Sequence, residues 1–219
     1  MNIFTNFVLS MTRILIADDH TIVRRGLKQI LLEEFPSAHI DEAEDAEVLL
    51  KKIMKDEWDV VITDLSMPGR SGMEALQQIK LHYPKLPVLV LSAHPEDQYA
   101  MRVLKAGASG YLNKEAAPDE LVKAIHRVLL GKKYITASIA DQLISELDKD
   151  GEKRPHEYLS DREFEVFKLI ASGKSVSDIA KQMSLGVTTI STYRARILEK
   201  MGMKTNALLT MYAIENKLL

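Results

Sequence analysis

Five side chains suited to phosphoryl chemistry follow short apolar runs in the first half of the chain. They stand at four successive places: Asp18 with Asp19, then Asp64, Ser92 and Lys114. Carboxylates are ligands that Mg²⁺ prefers, and a carboxylate can attack phosphorus to form an acyl phosphate. An amine and a hydroxyl at the same place would neutralise and hydrogen-bond the phosphoryl oxygens. The set predicts a Mg²⁺-dependent phosphoryl site with Asp64 as its nucleophile.

Each of these residues also has an ordinary explanation when taken alone. An Asp-Asp pair after a strand is commonly a turn or a helix cap, and a lone lysine is usually solvated. Single short matches of this kind have a high false-positive rate. The recurrence at four strand ends favours one shared site, in which Asp18 and Asp19 bind metal and Lys114 offsets phosphoryl charge.

The elements that must bring these side chains together alternate between strand and helix. We predict strands over Arg13–Ala17, His39–Ala43, Val60–Asp64, Val88–Ser92 and Gly110–Leu112. Amphipathic helices are predicted over Thr21–Glu34, Ala46–Lys55, Ser71–His82, Glu96–Ala106 and Pro118–Leu130. This alternation is typical of a parallel sheet with helices on both faces, whose strand carboxyl ends share one ligand-binding edge.

The composition narrows the class of protein. The chain has 219 residues, a net charge of −2 and no cysteine, which excludes disulfides and thiolate metal sites. The part from Asp161 onward carries nine basic and six acidic residues, which hints at an anionic partner. No apolar run approaches the roughly 20 residues that span a bilayer. Residues 1–10 lack a basic start, so we expect no signal peptide, and Met11 is an alternative start.

The chain divides into two predicted domains. The first covers 11–131, and 132–158 is a linker with a short helix, polar over 145–155. Residues 159–219 have a helical period throughout, which predicts a small all-α four-helix domain. Its helices are Asp161–Ser172, Val176–Met183, Val187–Gly202 and Asn206–Leu218, with a tight turn at Leu185-Gly186.

The helix predicted over Val187–Gly202 has the pattern of a DNA-recognition helix. Its apolar residues recur on one face, and the opposite side carries the short side chains of Thr188, Ser191, Thr192 and Ala195. Arg194, Arg196 and Lys200 are placed to reach phosphates. A solvated helix face and a protein-binding module are the alternatives, because the positive charge of this end is small.

The first half resembles the receiver domain of bacterial response regulators. The motifs are Ile16-Ala17-Asp18-Asp19-His20, Asp64-Leu65-Ser66-Met67-Pro68-Gly69-Arg70-Ser71-Gly72, Leu91-Ser92-Ala93 and Gly107-Ala108-Ser109-Gly110-Tyr111-Leu112-Asn113-Lys114. The resemblance implies an α/β flavodoxin-like fold with a doubly wound parallel sheet. It also implies that Asp64 accepts a phosphoryl group from a sensor histidine kinase.

Further roles follow from this resemblance alone. The Ser66 carbonyl would complete a Mg²⁺ shell formed by the carboxylates of Asp18, Asp19 and Asp64. Ser92 would be the switch hydroxyl and Tyr111 the switch aromatic, although an aromatic in a strand is usually a core residue. The chain departs from many receivers at Glu115, which follows the motif lysine where proline is frequent.

The second half resembles the LuxR-type helix-turn-helix. The resemblance lies in Leu159–Phe167, Gly173-Lys174-Ser175, Asp178-Ile179-Ala180, Thr189–Tyr193 and Ile197–Gly202. Together the two halves are similar to response regulators of the NarL/FixJ type. Lysines frequent on the recognition face of that family are replaced here by Ser191 and Ala195, which bears on the choice of operator.

The expected function is a cytoplasmic, phosphorylation-controlled regulator of transcription. Its expected partners are a sensor histidine kinase, promoter DNA and, on phosphorylation, a second copy, with RNA polymerase as a further candidate and no membrane. We expect no enzyme activity beyond phosphorylation and dephosphorylation of its own aspartate. A phosphatase is disfavoured, because Leu65-Ser66 follows Asp64 where an acid would be needed two residues on. A protein-binding output is the second alternative.

Overall fold

A computed structural model describes residues 11–115, 117–147 and 154–219. Residues 1–10, to which no role was assigned, and most of the polar linker, 148–153, lie outside the described residues. The chain divides into two compact units, Met1–Glu146 and Leu147–Leu219. Among the described residues, no helix is both long and apolar enough to cross a bilayer.

The first unit is built on one parallel sheet. Its strands are β1 (Arg13–Ala17), β2 (His39–Ala43), β3 (Val60–Thr63), β4 (Val88–Ser92) and β5 (Gly110–Asn113). Its helices are α1 (Thr21–Glu34), α2 (Ala46–Lys55), α3 (Gly72–His82), α4 (Glu96–Lys105), α5 (Ala117–Leu129) and α6 (Ala137–Leu147). All strand pairs are parallel in the order β2-β1-β3-β4-β5. This order confirms the predicted doubly wound flavodoxin-like fold.

The central strands are apolar along their whole length because both faces of the sheet are covered. Every residue of β3 and β4 is buried. On one face, strand side chains including Ile14, Ile62 and Leu89 pack with Leu31 of α1 and Ile125 of α5. Each such side chain contributes on the order of 1.5–3 kcal/mol of transfer free energy. This core fixes the strands whose ends carry the predicted site.

Local signals in the sequence set where helices begin and end. Ser71 and Glu74 form a capping box at the start of α3, as Ser160 and Glu163 do in the second unit. Gly107 follows α4 at φ +100°, a conformation in which glycine carries no steric penalty. In the first unit, these ends place the loop between β3 and α3 and the turn between α4 and β5.

The first unit continues beyond Gly131 into the segment predicted as a linker. Tyr134 forms a parallel bridge with Gly110 beside β5 and belongs to the same apolar core as the sheet. Thr136 donates a hydrogen bond of 2.7 Å to Glu96 of α4, and Ile139 of α6 is fully buried. We call residues 132–136 the edge strap. The strap belongs to the first unit because the buried Tyr134 side chain packs in that core.

The second unit is a small helical domain, as predicted. A short 3-10 helix (Pro155–Tyr158) precedes α7 (Asp161–Ala171), α8 (Val176–Gln182), α9 (Val187–Lys200) and α10 (Asn206–Glu215). Its buried side chains include Phe164, Phe167, Ile179, Ile190, Ile197 and Leu209. The turn between α8 and α9 has its left-handed residue at Ser184 (φ +54°), whereas Gly186 caps α9 at φ −73°.

Candidate phosphoryl site and nucleic-acid interface

Backbone hydrogen bonds bring the predicted site residues to one edge of the sheet. The Asp18 N–H donates to Ala43 O at the end of β2, and the Asp64 N–H donates to Ala17 O at the end of β1. The Lys114 N–H donates to Ser92 O at the end of β4. The ladder therefore extends one residue past the ends of β1, β3 and β5, and it lines up the carboxyl ends of the strands.

Lys114 joins the two buried carboxylates of this edge. Its Nζ lies 2.8 Å from Asp64 Oδ2 and 2.7 Å from Asp18 Oδ2. The side chains of Asp18 and Asp64 are 2% and 4% exposed, whereas that of Lys114 is 18% exposed. The predicted nucleophile and its charge partner are thus in contact before any phosphoryl group arrives.

The surroundings have opposite effects on the charged forms of Asp64 and Lys114. Burial raises the pKa of Asp64, and this effect outweighs the bond from Lys114, which lowers it. Burial lowers the pKa of Lys114, but its bonds to Asp18 and Asp64 outweigh burial and raise the pKa of the amine. Lys114 is therefore a firmly held cation, while the ionised form of Asp64 is costly.

The donor set fits a hard divalent cation. Asp18, Asp19, His20 and Asp64 each offer a ligand atom, and these atoms lie within 4.8 Å of one another. The buried Oδ1 of Asp64 has no side-chain hydrogen-bond partner within the described part of the chain. The carboxylate oxygens match the preference of Mg²⁺, whereas His20 Nδ1 is held by Asp19 Oδ1 at 2.8 Å. Asp18, Asp19 and Asp64 therefore fit the predicted metal role.

His94 links the other predicted site residues, and sequence reasoning missed it. Its ring Nε2 lies 2.8 Å from the Ser66 hydroxyl, and its N–H donates to Ser92 Oγ at 3.2 Å. Its carbonyl accepts a 2.7 Å bond from the hydroxyl of Tyr111. Ser92 and Tyr111 are fully buried, and burial raises the pKa of the tyrosine. Because the contacts to Ser92 and Tyr111 use the backbone of His94, no residue type in the sequence signals them.

Two further positions support the site and were also missed. Arg24 of α1 donates from Nη1 to the Asp18 carbonyl at 2.7 Å. Gly72 opens α3 so close to the loop after β3 that a Cβ there would lie 1.7 Å from the Asp64 carbonyl oxygen. The Ser-Gly pair of the receiver motif was the available signal for the glycine. The partners of Arg24 could not be predicted from the sequence, because they depend on how the chain folds.

The second unit presents the predicted recognition face on α9. Ile190 and Ile197 are fully buried against the domain. The exposed residues of α9 include the predicted base-contacting set of Thr188, Ser191, Thr192 and Ala195. The Thr192 hydroxyl donates to the Thr188 carbonyl at 3.0 Å. Its hydrogen is therefore committed to the helix, and its oxygen stays able to accept a bond.

The three predicted phosphate contacts have different surroundings. Arg194 donates from Nε to Asn206 Oδ1 at 2.7 Å, and Lys200 pairs with the buried carboxylate of Glu163 at 2.6 Å. Arg196 is exposed and has no ion-pair partner among the described residues. Of the three, Arg196 is the cation most available to a phosphate.

Comparison with known families identifies both units. Residues 14–126 match the response regulator receiver domain, and residues 157–213 match the luxR family of bacterial regulatory proteins. The chain is 35% identical over 209 residues to the response regulator UvrY of Escherichia coli K12, covering 95% of this chain and 96% of UvrY. It is 34% identical over 214 residues to the oxygen regulatory protein NreC of Staphylococcus carnosus, covering 94% and 99%.

A solved structure of a related protein matches nearly the whole length of the chain. RcsB from Salmonella enterica serovar Typhimurium, bound to the rprA promoter in the presence of the phosphomimetic BeF₃⁻, is 31% identical with a TM-score of 0.59. The match covers 92% of this chain and 98% of the RcsB chain. The chain belongs to the response regulators of the NarL/FixJ type, two-component proteins in which a receiver domain is followed by a LuxR-type DNA-binding domain.

Proposed function

We propose that this response regulator is switched by phosphorylation of Asp64 and that the switch controls promoter binding. The donor is a sensor histidine kinase, and the compartment is the cytoplasm. The observation that carries the proposal is the Lys114 ammonium held between Asp18 and Asp64, beside the buried Oδ1 of Asp64. In this role the protein catalyses only the phosphorylation and dephosphorylation of its own aspartate.

The side chains at the sheet edge divide the work of phosphoryl transfer. A carboxylate oxygen of Asp64 attacks phosphorus, and the bond from phosphorus to the kinase imidazole nitrogen breaks with its electron pair leaving on that nitrogen. The ammonium of Lys114 offsets the charge of the transferred group. Asp18, Asp19, Asp64 and the Ser66 carbonyl would hold Mg²⁺, which when bound supplies further charge neutralisation.

Ser92 and Tyr111 provide the conformational response. The phosphoryl oxygens are new acceptors for the Ser92 hydroxyl, which also accepts from the backbone of His94. Movement of Ser92 towards the anion therefore displaces the His94 backbone, to which the Tyr111 hydroxyl is bonded. The local charge change is converted into a rearrangement of the loop after β4. We propose that the rearranged receiver self-associates.

Dimerisation would strengthen DNA binding by joining two recognition helices. The RcsB complex with a promoter and BeF₃⁻ supports a link between phosphorylation and DNA binding, because a phosphate mimic and DNA are present together in that relative. Thr188, Ser191, Thr192 and the Ala195 methyl would read base edges, with Thr192 accepting from a base amino group. Arg194, Arg196 and Lys200 would contact phosphates, and RNA polymerase would be the protein partner at the promoter.

The first experiment tests the phosphoacceptor. The full chain is incubated with Mg²⁺ and a small phosphodonor, and intact mass is followed with time. We expect one acid-labile phosphoryl group on the wild type and on the control Asp97→Asn, which changes an exposed aspartate of α4, and none on Asp64→Asn. If Asp64→Asn gains one phosphoryl group at the wild-type rate, the assignment is wrong.

The second experiment tests the switch. Ser92→Ala should accept a phosphoryl group yet dimerise poorly in analytical ultracentrifugation, because the new anion no longer recruits the loop. Tyr111→Phe keeps the buried ring and removes the hydroxyl that donates to the His94 carbonyl. Normal dimerisation of phosphorylated Ser92→Ala would count against this mechanism.

The third experiment tests the orientation of α9 on DNA. Arg196→Ala should weaken binding about equally across sequences and reduce the salt slope by ~1. Thr192→Ala should instead change the preference among sites, at a cost on the order of 1–3 kcal/mol at the best one. Arg25→Ala, in the receiver, is the control. The orientation is wrong if Arg196→Ala keeps the slope and Thr192→Ala weakens all sites equally.

A further inference from the structure

Arg24 holds the acidic loop of the phosphoryl site from the side of α1. Its three guanidinium nitrogens have three different partners. Nη1 donates to the Asp18 carbonyl at 2.7 Å, Nε to Glu42 Oε2 at 3.1 Å and Nη2 to Thr21 Oγ1 at 3.2 Å. Only 8% of Arg24 is exposed. A buried arginine with every nitrogen engaged is a fixed structural fork.

The bond to the Asp18 carbonyl has a direct effect on the metal ligands. That oxygen belongs to the peptide group between Asp18 and Asp19, which is planar. Holding the oxygen in place restricts the rotation of this plane, and so the directions in which both carboxylates leave the backbone. Glu42 anchors the fork at β2, the strand beside β1, and Lys28 lies 3.5 Å from its other oxygen.

We propose that Arg24 is a positioning residue for the Mg²⁺ site, acting through the Asp18–Asp19 peptide. The inference rests on the proposed role of Asp18 and Asp19 as metal ligands. It assigns to Arg24 and Glu42 the outer support that orients metal ligands, whose loss typically weakens metal affinity about 10- to 100-fold.

Positioning and simple charge predict opposite results at this residue. Arg24 is a cation close to an acidic cluster, so its charge alone opposes Mg²⁺ binding. If charge decides, Arg24→Met binds Mg²⁺ more tightly than the wild type and Arg24→Lys binds it equally. If positioning decides, both variants bind Mg²⁺ more weakly. The methionine has no hydrogen-bond donor, and the lysine ammonium cannot engage three partners in the geometry of the guanidinium.

The experiment is calorimetric titration of the full chain with Mg²⁺ alone. We expect Arg24→Lys and Arg24→Met to raise the Kd about 10-fold, with a smaller rise for Glu42→Gln. Arg25→Lys and Arg25→Met are matched controls, because Arg25 is the exposed neighbour on the same helix, and their Kd should stay near the wild-type value. Urea unfolding in EDTA records stability separately.

The outcomes separate this inference from the proposed function. If the wild type binds no Mg²⁺, or Asp18→Asn binds it equally well, the metal site itself is wrong. If the wild type binds Mg²⁺ and Asp18→Asn does not, an unchanged Kd for Arg24→Lys overturns the inference, even where stability is lost. Should Arg24→Met fail to fold, Arg24→Lys and Glu42→Gln decide the result.

Discussion

Replacing Lys114 with methionine should destabilise the receiver most strongly at neutral pH and without metal. Methionine keeps much of the apolar stem and removes the ammonium that lies 2.7 Å from Asp18 and 2.8 Å from Asp64. Two carboxylates are then left buried without their cation. The decrease in the free energy of unfolding should therefore reflect lost electrostatic interactions more than lost packing.

The expected magnitude follows from burial. Removing one partner of a buried ion pair costs about 3–5 kcal/mol. Because the Lys114 side chain is 18% exposed and Asp64 can take up a proton, we expect the lower end of this range, ~3 kcal/mol at pH 7. Domain stabilities are themselves about 5–15 kcal/mol, so the change is large.

The pH dependence has a defined sign. The pKa of Lys114 is raised, so its contribution in the wild type is complete below about pH 10.5 and is lost only as pH rises through the raised value. The pKa of Asp64 is also raised, so its protonation begins above 3.8. The difference between Lys114→Met and the wild type should therefore shrink as pH falls from 7 towards 4.

Tryptophan fluorescence in urea, in EDTA, measures this difference. The chain has one tryptophan, Trp58, which is buried in the first unit, so the signal reports the receiver alone. Lys123→Met is the control, because Lys123 is 67% exposed and pairs with Glu120 at the surface, where solvent screens an ion pair and its loss changes stability little. A Lys114→Met loss no larger than that of the control, or one that grows as pH falls, would refute the reasoning.

Three further outcomes follow from contacts described above. In EDTA at pH 7, Asp64→Asn should raise the urea midpoint of the tryptophan signal, because burial raises the pKa of Asp64 and its ionisation opposes folding; a lower midpoint would contradict this. Gly72→Ala should strongly destabilise the receiver, because its Cβ would meet the backbone 1.7 Å away, whereas Gly26→Ala, with open space around it, should be neutral or stabilising by about 0.4–1 kcal/mol. Burial raises the pKa of Glu163, but the bonds from Lys200 and Ser160 outweigh burial and lower the pKa overall. The ionised carboxylate therefore stabilises the second unit above pH 4.5, and this contribution is lost as the pH falls below that value. Glu163→Gln should weaken the hydrogen-exchange protection of α7 and α9 at pH 7 and match the wild type in acid.

The sequence predicted the sheet and the meeting of Asp18, Asp64 and Lys114 at one of its edges, because both depend on patterns along the chain. Continuous apolar runs marked the buried strands, and capping residues such as Ser71 marked helix starts. The ends of individual strands and helices were predicted less accurately. The third strand stops at Thr63, one residue before the predicted end, and α9 stops at Lys200 because Gly202 turns to φ +66°.

The supporting contacts were not predictable because they join residues far apart in the chain or use backbone atoms. Glu163 and Lys200 are 37 positions apart, and nothing local pairs them. The sequence therefore suggested Lys200 as a phosphate contact without showing its buried partner. His94 acts largely through its main chain, which any residue type possesses.

The edge strap determines where the chain can be truncated to give a stable receiver fragment. Strand β5 stands at the end of the sheet, and Tyr134 covers it through its bridge to Gly110 and its N–H bond of 2.7 Å to Ser109 O. A fragment ending at Gly131 would expose an open strand edge and empty an aromatic site in the core. Exposed edges of this kind recruit further strands and promote aggregation. A receiver fragment that keeps residues through 146 should stay monomeric at concentrations where the shorter fragment precipitates.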